Sequence, residues 1–508
     1  MGGGALWGWF GPLIVTIFGG YLRFVRLGDP HSVMFDETFY AKDAYAFTQF
    51  GVEQKTLDTD KDPIANDRLI AGNTDIFTQC PPEDLSNCVL FIAHPPLGKW
   101  MIAAGEAIFG MTPFGWRFAA ALVGTLSILI LARTVRRMTR STMLGCLAGL
   151  LLSVEALHFV ASRAALLDVF LMFWVLAGFA CLVVDRDRYR RRLADWRSAG
   201  GQDKLGPAPT MRRWRVAAGL CLGAACAVKW NAAFFLAAFA LMSLLWDAGA
   251  NRAAGLATPY KAVLSRIFPG ASFALGVVPV VTYVLSWIGW FLSERGYGRN
   301  WDQALSAGPP YFVFDSLRSL WSYHAAILNF HTDLTDGHDY SSQPWTWPLL
   351  IRPVAFHYPP LQKCGDDQCA QAVLQTGTPV IWYTAIIALV ATVAWYFSSR
   401  DWRAGATVLA YSAGWLPWVY YAIAEQRTMY LFYAVPMVPF MIIALTLMAG
   451  LLLGRKDPVS PRRPWAAAVI GAVALLALVN FWWLYPVLAA ETIPYSEWHS
   501  RMFFDSWI

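Results

Sequence analysis

Charged residues are scarce in this chain: Asp, Glu, Lys and Arg make up only 15% of its 508 residues. A soluble globular protein carries about a quarter, so this chain lacks the polar surface to face water on all sides. It has no internal repeat, no low-complexity run, and no Cys-x-x-Cys or Cys/His spacing of a closed zinc site. Those absences set aside solenoids and zinc modules. The first apolar stretch, Trp7 to Phe24, has no basic n-region before it and no small-residue cleavage site after it, and reads as a retained helix. The net charge of +6 calls for no nucleic-acid partner, because its placement accounts for it.

What the chain has in abundance is apolar sequence, 57% of residues with a mean hydropathy of +0.41. Runs long enough to cross about 30 Å of hydrocarbon recur along it. Window reading gives about eleven spans, at 7–25, 114–133, 141–158, 164–184, 214–229, 231–247, 267–291, 379–397, 404–423, 428–453 and 465–485. The expected fold is therefore an all-α polytopic membrane protein. Basic residues crowd one set of connections: Arg133, Arg136, Arg137 and Arg140; the run from Arg186 to Arg215; Arg400 and Arg403; and Arg455, Lys456, Arg462 and Arg463. By the positive-inside rule these are cytoplasmic. The N-terminus then lies in the cytoplasm and the tail after Tyr485 lies outside. The segment from Ser198 to Thr210, rich in Gly, Pro and Ala, reads as a flexible cytoplasmic loop.

Two outside connections are long, residues 26–113 and 292–378. The first is acidic, from Asp29 to Asp84, and its stretch from Leu97 to Phe109 is apolar but too short to span, as suits a helix lying at the interface. Cys80 and Cys88 fall in the first connection, Cys364 and Cys369 in the second. Each pair is close in sequence, in a compartment where disulfides persist, and each is expected to be bonded. Cys146, Cys181, Cys221 and Cys226 fall in spans and read as small apolar residues.

Ionisable residues at membrane depth are expensive and mark function. Asp36 and Glu37 follow the first span on the outside; His94-Pro-Pro-Leu-Gly-Lys99 closes the first loop; Arg117 opens the second span. Arg163 and Asp168 begin the fourth, Lys229 sits at the turn between the fifth and sixth, and Arg427 opens the tenth. Any one of these cations alone reads as a side chain snorkelling to headgroups. Four on the face that the positive-inside rule leaves poor in Lys and Arg point instead to a membrane-embedded anion, and a lipid phosphate fits the depth. An acidic pair facing them suits transfer of a sugar from phosphate to hydroxyl. A carboxylate takes the hydroxyl proton, cations hold the departing phosphate, and a phosphate leaves without a general acid.

The second outside loop carries His331-Thr-Asp-Leu-Thr-Asp-Gly-His338-Asp-Tyr-Ser-Ser-Gln-Pro-Trp345-Thr-Trp347-Pro348. Its His and Asp residues offer ligands for a divalent cation, an alternative left open although no closed zinc spacing is present. Trp345 and Trp347 read either as an interfacial aromatic belt or as a surface that stacks on sugar or clamps an acceptor peptide.

In these residues the chain resembles the protein O-mannosyltransferase family, nearly end to end. Phe35-Asp-Glu-Thr-Phe-Tyr-Ala-Lys42, the His94–Lys99 segment, Arg117-Phe118 with Gly124, Ser162–Asp168, Lys229-Trp230, the His331–Pro348 block and Gln426–Phe440 match its motifs in order. The resemblance implies a C-type glycosyltransferase fold and transfer of mannose from polyprenyl-phosphate-mannose to protein Ser/Thr with inversion, requiring no cofactor. It implies Asp36 as base, with Glu37 beside it holding the acceptor or the loop. Arg117, Lys229 and Arg427 become donor-phosphate contacts, with His94, Lys99, Arg163 and Asp168 supporting. His331, His338, Trp345 and Trp347 become acceptor or sugar contacts. Roughly 85 residues in the second loop leave no room for the β-trefoil of fungal and animal relatives. The chain is thus similar to the bacterial form, with secreted or membrane proteins as acceptors and contact with the export machinery.

Two other readings compete. A sister enzyme could glycosylate a lipid or cell-wall glycan from the same kind of donor, which the His331–Pro348 block argues against. A transporter would carry its charges at the midplane of broken helices in related halves, whereas here they gather at one interface.

Overall fold

The computed structural model describes residues 3–59, 62–80, 88–293, 295–299, 309–365, 367–454 and 462–508. Arg455, Lys456 and Asp84, counted above in the charge pattern, lie outside the described residues. Helices form at every apolar stretch named from the sequence: α1 (Gly3–Phe24), α5 (Pro113–Thr139), α6 (Thr142–Ser153), α8 (Asp168–Ser198), α9 (Arg213–Cys226) and α10 (Ala232–Ala253) in the first half. The second half adds α11 (Pro259–Ser286), α14 (Pro379–Ser399), α15 (Trp402–Ala424), α16 (Leu431–Leu453) and α17 (Arg462–Leu488). Among the described residues, seven helices are long and apolar enough to cross a bilayer unaided.

The chain's own caps set several of these boundaries. Thr112 accepts from the Gly115 amide and Pro113 occupies the first turn of α5, while Arg136 and Arg137 fill its last turn against the helix dipole. The 141–158 stretch is two helices rather than one. α6 stops at Ser153, and Glu155 caps the short α7 (Ala156–Ala161) by accepting from Leu157 and His158. Glu155 also accepts from Trp382 Nε1 at 2.8 Å, so this buried break ties α14 to the bundle. α9 lies against α11 through Gly219 and Gly223. A Cβ on Gly219 would stand 1.8 Å from the Ala274 carbonyl, so only the bare backbone permits the approach.

Both long connections are structured. In the first, α2 (Glu37–Phe50), α3 (Ile64–Ile70) and α4 (Leu97–Phe109) form a helical layer, with Phe47 stacked on Trp100 at 4.8 Å. α4 is the short apolar stretch expected at the interface. In the second, α12 (Ile288–Leu292) leads towards α13 (Pro309–Thr332), a 24-residue helix that precedes two small antiparallel sheets. β1 (Val354–His357) pairs with β4 (Val373–Gln375), and β2 (Gln362–Cys364) pairs with β3 (Asp367–Ala370), which in turn pairs with β5 (Ile493–Pro494). The short α18 (Tyr495–Ser500) follows β5. Cys80–Cys88 and Cys364–Cys369 are disulfides, with Cα atoms 6.0 and 5.9 Å apart. The Gly/Pro-rich segment after α8 is held more firmly than its composition implies. Arg192 donates to Ala208 and Thr210, and Arg266 to Gly206 and Asp203.

Candidate active site

Helix ends and loops from distant parts of the chain converge where α2, α8 and α10 begin. Lys229, in the turn before α10, donates from Nζ to Asp168 Oδ2 at 2.8 Å, Asp168 being the first residue of α8. Both are nearly buried, and the Lys229 ammonium lies 5.7 and 5.6 Å from the Phe432 and Tyr433 ring centroids. The pair lines a cavity of about 150 Å³ together with His94, Asn231, His331 and Arg427. Trp230, Trp418 and Tyr433 supply aromatic wall.

Arg427 is steered by His331 twice: its Nη1 donates to the His331 carbonyl at 2.5 Å and its Nη2 lies 3.4 Å from Nδ1 of the ring. The His331 Nε2 donates to the Ala93 carbonyl at 2.7 Å, which leaves Nδ1 as the acceptor. Burial and the Arg427 charge push His331 down to about 4, so it is neutral near pH 7. Burial and the Lys229 charge likewise hold His94, stacked on His331 at 5.1 Å, well below the usual histidine range. Two buried polar atoms of the cavity residues have no partner: Arg427 Nε, a donor, and Asn231 Oδ1, an acceptor. Such atoms are costly unless a ligand satisfies them.

Asp36 stands beside this cavity at the start of α2. Its carboxylate makes no capping hydrogen bond. Burial raises its pKa to about 6; the Lys229 charge opposes that rise and the Asp168 charge adds to it. The preceding Phe35 has φ +45°, a costly left-handed conformation for an aromatic residue, and is gripped by Phe356, stacked at 4.9 Å, and by Phe432. Gln426, before Arg427, is left-handed too, at φ +50°. Phe35 thus immediately precedes Asp36, which feels the charges of Lys229 and Asp168, and Gln426 immediately precedes Arg427, which lines the cavity.

Several expected contacts lie elsewhere. Arg117 is fully buried and spends all five N–H groups. It donates to Glu37 Oε1 and Oε2 at 2.8 and 2.9 Å, and to the carbonyls of Leu27, Pro30 and Ser32. No donor remains for a phosphate, so its role as a phosphate contact gives way to holding the 27–37 loop. Glu37 is equally saturated, accepting also from the Met34 and Ala165 amides, which favours loop support over acceptor contact. Arg163 donates to the carbonyls of Leu22, Arg23, Val25 and Arg26 and so caps α1. Lys99 is buried between Asp43 and Glu53, at 2.9 and 3.2 Å.

Trp347 is 0% exposed and donates to Ser342, so it is core rather than a sugar or membrane-belt residue. Trp345 and His338 are exposed and are not among the cavity-lining residues, His338 resting on the Tyr430 ring. The 331–342 segment matters in another way. It is laced to the 427–429 segment by Thr428 donating to Leu334 and Ser342 to Met429. Among the described residues no group of three or more His, Cys, Asp or Glu side chains is arranged to hold a metal. Asn231 and Trp418 are lining residues that no sequence motif singles out, although Asn231 sits two residues after Lys229, and Tyr433 falls within the Gln426–Phe440 motif.

Comparison with known proteins gives this geometry a context. The family model for dolichyl-phosphate-mannose–protein mannosyltransferase matches residues 13–288. That for the C-terminal four-transmembrane region of protein O-mannosyltransferase matches residues 316–507. The chain belongs to the protein O-mannosyltransferase family. Polyprenol-phosphate-mannose–protein mannosyltransferases of Mycolicibacterium smegmatis and Mycobacterium tuberculosis are 36% identical to it, over 98% of this chain and 93% and 92% of theirs. The Corynebacterium glutamicum enzyme of the same name is 32% identical over 82% of this chain and 81% of its own. In fold, the chain is similar to the donor-bound Saccharomyces cerevisiae Pmt1–Pmt2 complex, with a TM-score of 0.71 at 13% identity over 98% of this chain and 92% of the other. The Cupriavidus metallidurans ArnT bound to undecaprenyl phosphate is more distant, with a TM-score of 0.51 at 15% identity over 94% and 76%. The fold is that of a C-type glycosyltransferase, in a multi-pass membrane protein of this family.

Proposed function

We infer that this chain transfers mannose from a polyprenyl-phosphate-mannose donor to Ser/Thr hydroxyls of proteins, as the names of its curated relatives imply. One observation carries the mechanism: a cation pair with unspent hydrogen-bonding capacity lines a cavity beside a carboxylate whose pKa is raised to about 6. Lys229 and Arg427 hold the donor phosphate, and Asn231 accepts from a sugar hydroxyl. Asp36 takes the proton of the acceptor hydroxyl as its oxygen bonds to the anomeric carbon. The carbon–oxygen bond to phosphate breaks on the opposite face, inverting the anomeric centre, and the phosphate keeps the electron pair. The cations meet the charge that grows on it, where preorganised contacts lower the barrier most. Arg117 and Glu37 keep the loop that carries Asp36 in place.

The crowding of basic residues in one set of connections supports a site on the extracytoplasmic face, with the N-terminus in the cytoplasm and the tail outside. Acceptors are then proteins emerging from export. The test is to reconstitute the chain with labelled mannosyl-phosphoryl-polyprenol and a Ser/Thr-rich peptide. Label enters the peptide with the anomeric configuration opposite to the donor's. Label in a lipid or glycan fraction instead overturns the protein-acceptor reading.

A further inference from the structure

A second cavity, of about 430 Å³, lies at the other end of the bundle, between α8, the 205–212 loop, the start of α9 and α11. Arg192, on its wall, is 24 residues beyond Asp168 on α8, about 36 Å along the axis at 1.5 Å per residue. This cavity is therefore separate from the candidate active site.

A built charge network forms its polar end. Arg212 joins Asp185 and Asp247 at 2.6 and 2.9 Å, and Arg215 joins the same two carboxylates at 3.3 and 2.6 Å. Arg215 is only 2% exposed, and its Nη1 has no hydrogen-bond partner. Arg192 and Arg266 complete the cationic rim, Arg266 paired with Asp203 at 2.7 Å. Four guanidiniums thus face three carboxylates, leaving one positive charge and one buried donor unmatched.

The other walls are apolar, from Met211, Val216, Ile267 and Phe273. α11 is broken here by two π-helical turns, Val263–Ile267 and Phe273–Val277, with Pro269 between them. Turns of this type interrupt the α-helical ladder and recur at functional sites. Leu264, Phe268 and Phe273 on this helix are 68, 47 and 50% exposed, so this flank of the cavity faces the lipid. At its edge, a Cβ on Gly270 would meet nothing within 4 Å.

We propose that this cavity binds an anionic phospholipid, its phosphate received by Arg215 and the Arg192/Arg266 rim and its chain lying along the apolar flank of α11. One unmatched positive charge fits a phosphodiester, and an apolar wall open to lipid fits an amphiphile better than a soluble ion. An Arg fork is also the group suited to phosphate.

The test uses the full chain in a neutral detergent, titrated with dioleoyl-phosphatidylglycerol, dioleoyl-phosphatidylcholine or sodium phosphate. Thermal unfolding and native mass spectrometry are the readouts. Phosphatidylglycerol raises Tm saturably and appears as a bound adduct, while the other two do neither at equal concentration. Gly270→Phe, which plugs the open space, keeps the lipid-free Tm and raises the half-saturating phosphatidylglycerol by about tenfold or more, the loss of one good contact. Arg192→Gln, at the rim, weakens the same response should the plugged variant fold poorly. An equal response to phosphate or phosphatidylcholine overturns the proposal. So does undiminished phosphatidylglycerol binding in both variants.

Discussion

Two buried cation–carboxylate pairs at the same end of the molecule differ in what they leave unspent. Arg117–Glu37 is closed: five donors meet five acceptors, and both side chains are 0% exposed. Lys229–Asp168 with Arg427 is open. Lys229 has one hydrogen-bonded partner, Arg427 keeps an unpaired Nε, and both border a cavity. A buried ion pair repays its desolvation only when its remaining donors and acceptors are met. The closed pair meets that condition internally and so holds a loop. The open group lacks that internal match, and a ligand phosphate would supply it.

Breaking the closed pair should cost most. Arg117→Met leaves Glu37 a buried charge with only two backbone donors, and a loss of about 3–5 kcal/mol is expected, read as reduced yield of folded protein and a lowered Tm. A variant of wild-type Tm that had lost donor affinity would reverse the comparison and return Arg117 to the phosphate. Asp36→Asn should leave Tm and donor half-saturation unchanged and reduce transfer by about 100-fold or more. Retention of most of the rate would remove Asp36 from the reaction.

A smaller effect is expected at the open group. Arg427→Lys keeps the charge but loses the planar fork, and the half-saturating donor concentration should rise by about tenfold; an unchanged value speaks for a side chain that merely snorkels. The smallest effect is a shift in pH dependence. Asp36 works as a base only when ionised, so kcat/KM should fall as pH drops below about 6. Lys229 favours the ionised form, so Lys229→Met should move that acid limb upward. A limb that stays in place would show that Asp36 does not feel Lys229.

Much of this is legible in the sequence. A membrane helix needs only length and apolarity, so a helix forms within each of the eleven apolar stretches, and seven of the described helices are long and apolar enough to cross a bilayer. The cations that gather on one face stood out because their positions violate the usual charge asymmetry. Division of labour among them was not legible. Arg117 and Arg427 look alike in sequence, each near the start of an apolar helix. Only the fold brings three loop carbonyls and Glu37 around Arg117 and gives Arg427 a single histidine. Trp347 likewise resembles Trp345 in a polar loop, yet one is core and the other 48% exposed.

By itself, the sequence determined that the chain is helical and membrane-embedded, that it belongs with transferases using lipid-linked sugars, and which ends of its helices carry charge. Those properties rest on periodicity, hydropathy and ordered motifs, all of which are local. The tertiary structure alone decided which charges are spent and which remain available. Hydrogen-bond saturation depends on partners such as Arg427 and His331, separated by 96 residues, and His331 and Ala93, separated by 238, and no local pattern encodes them.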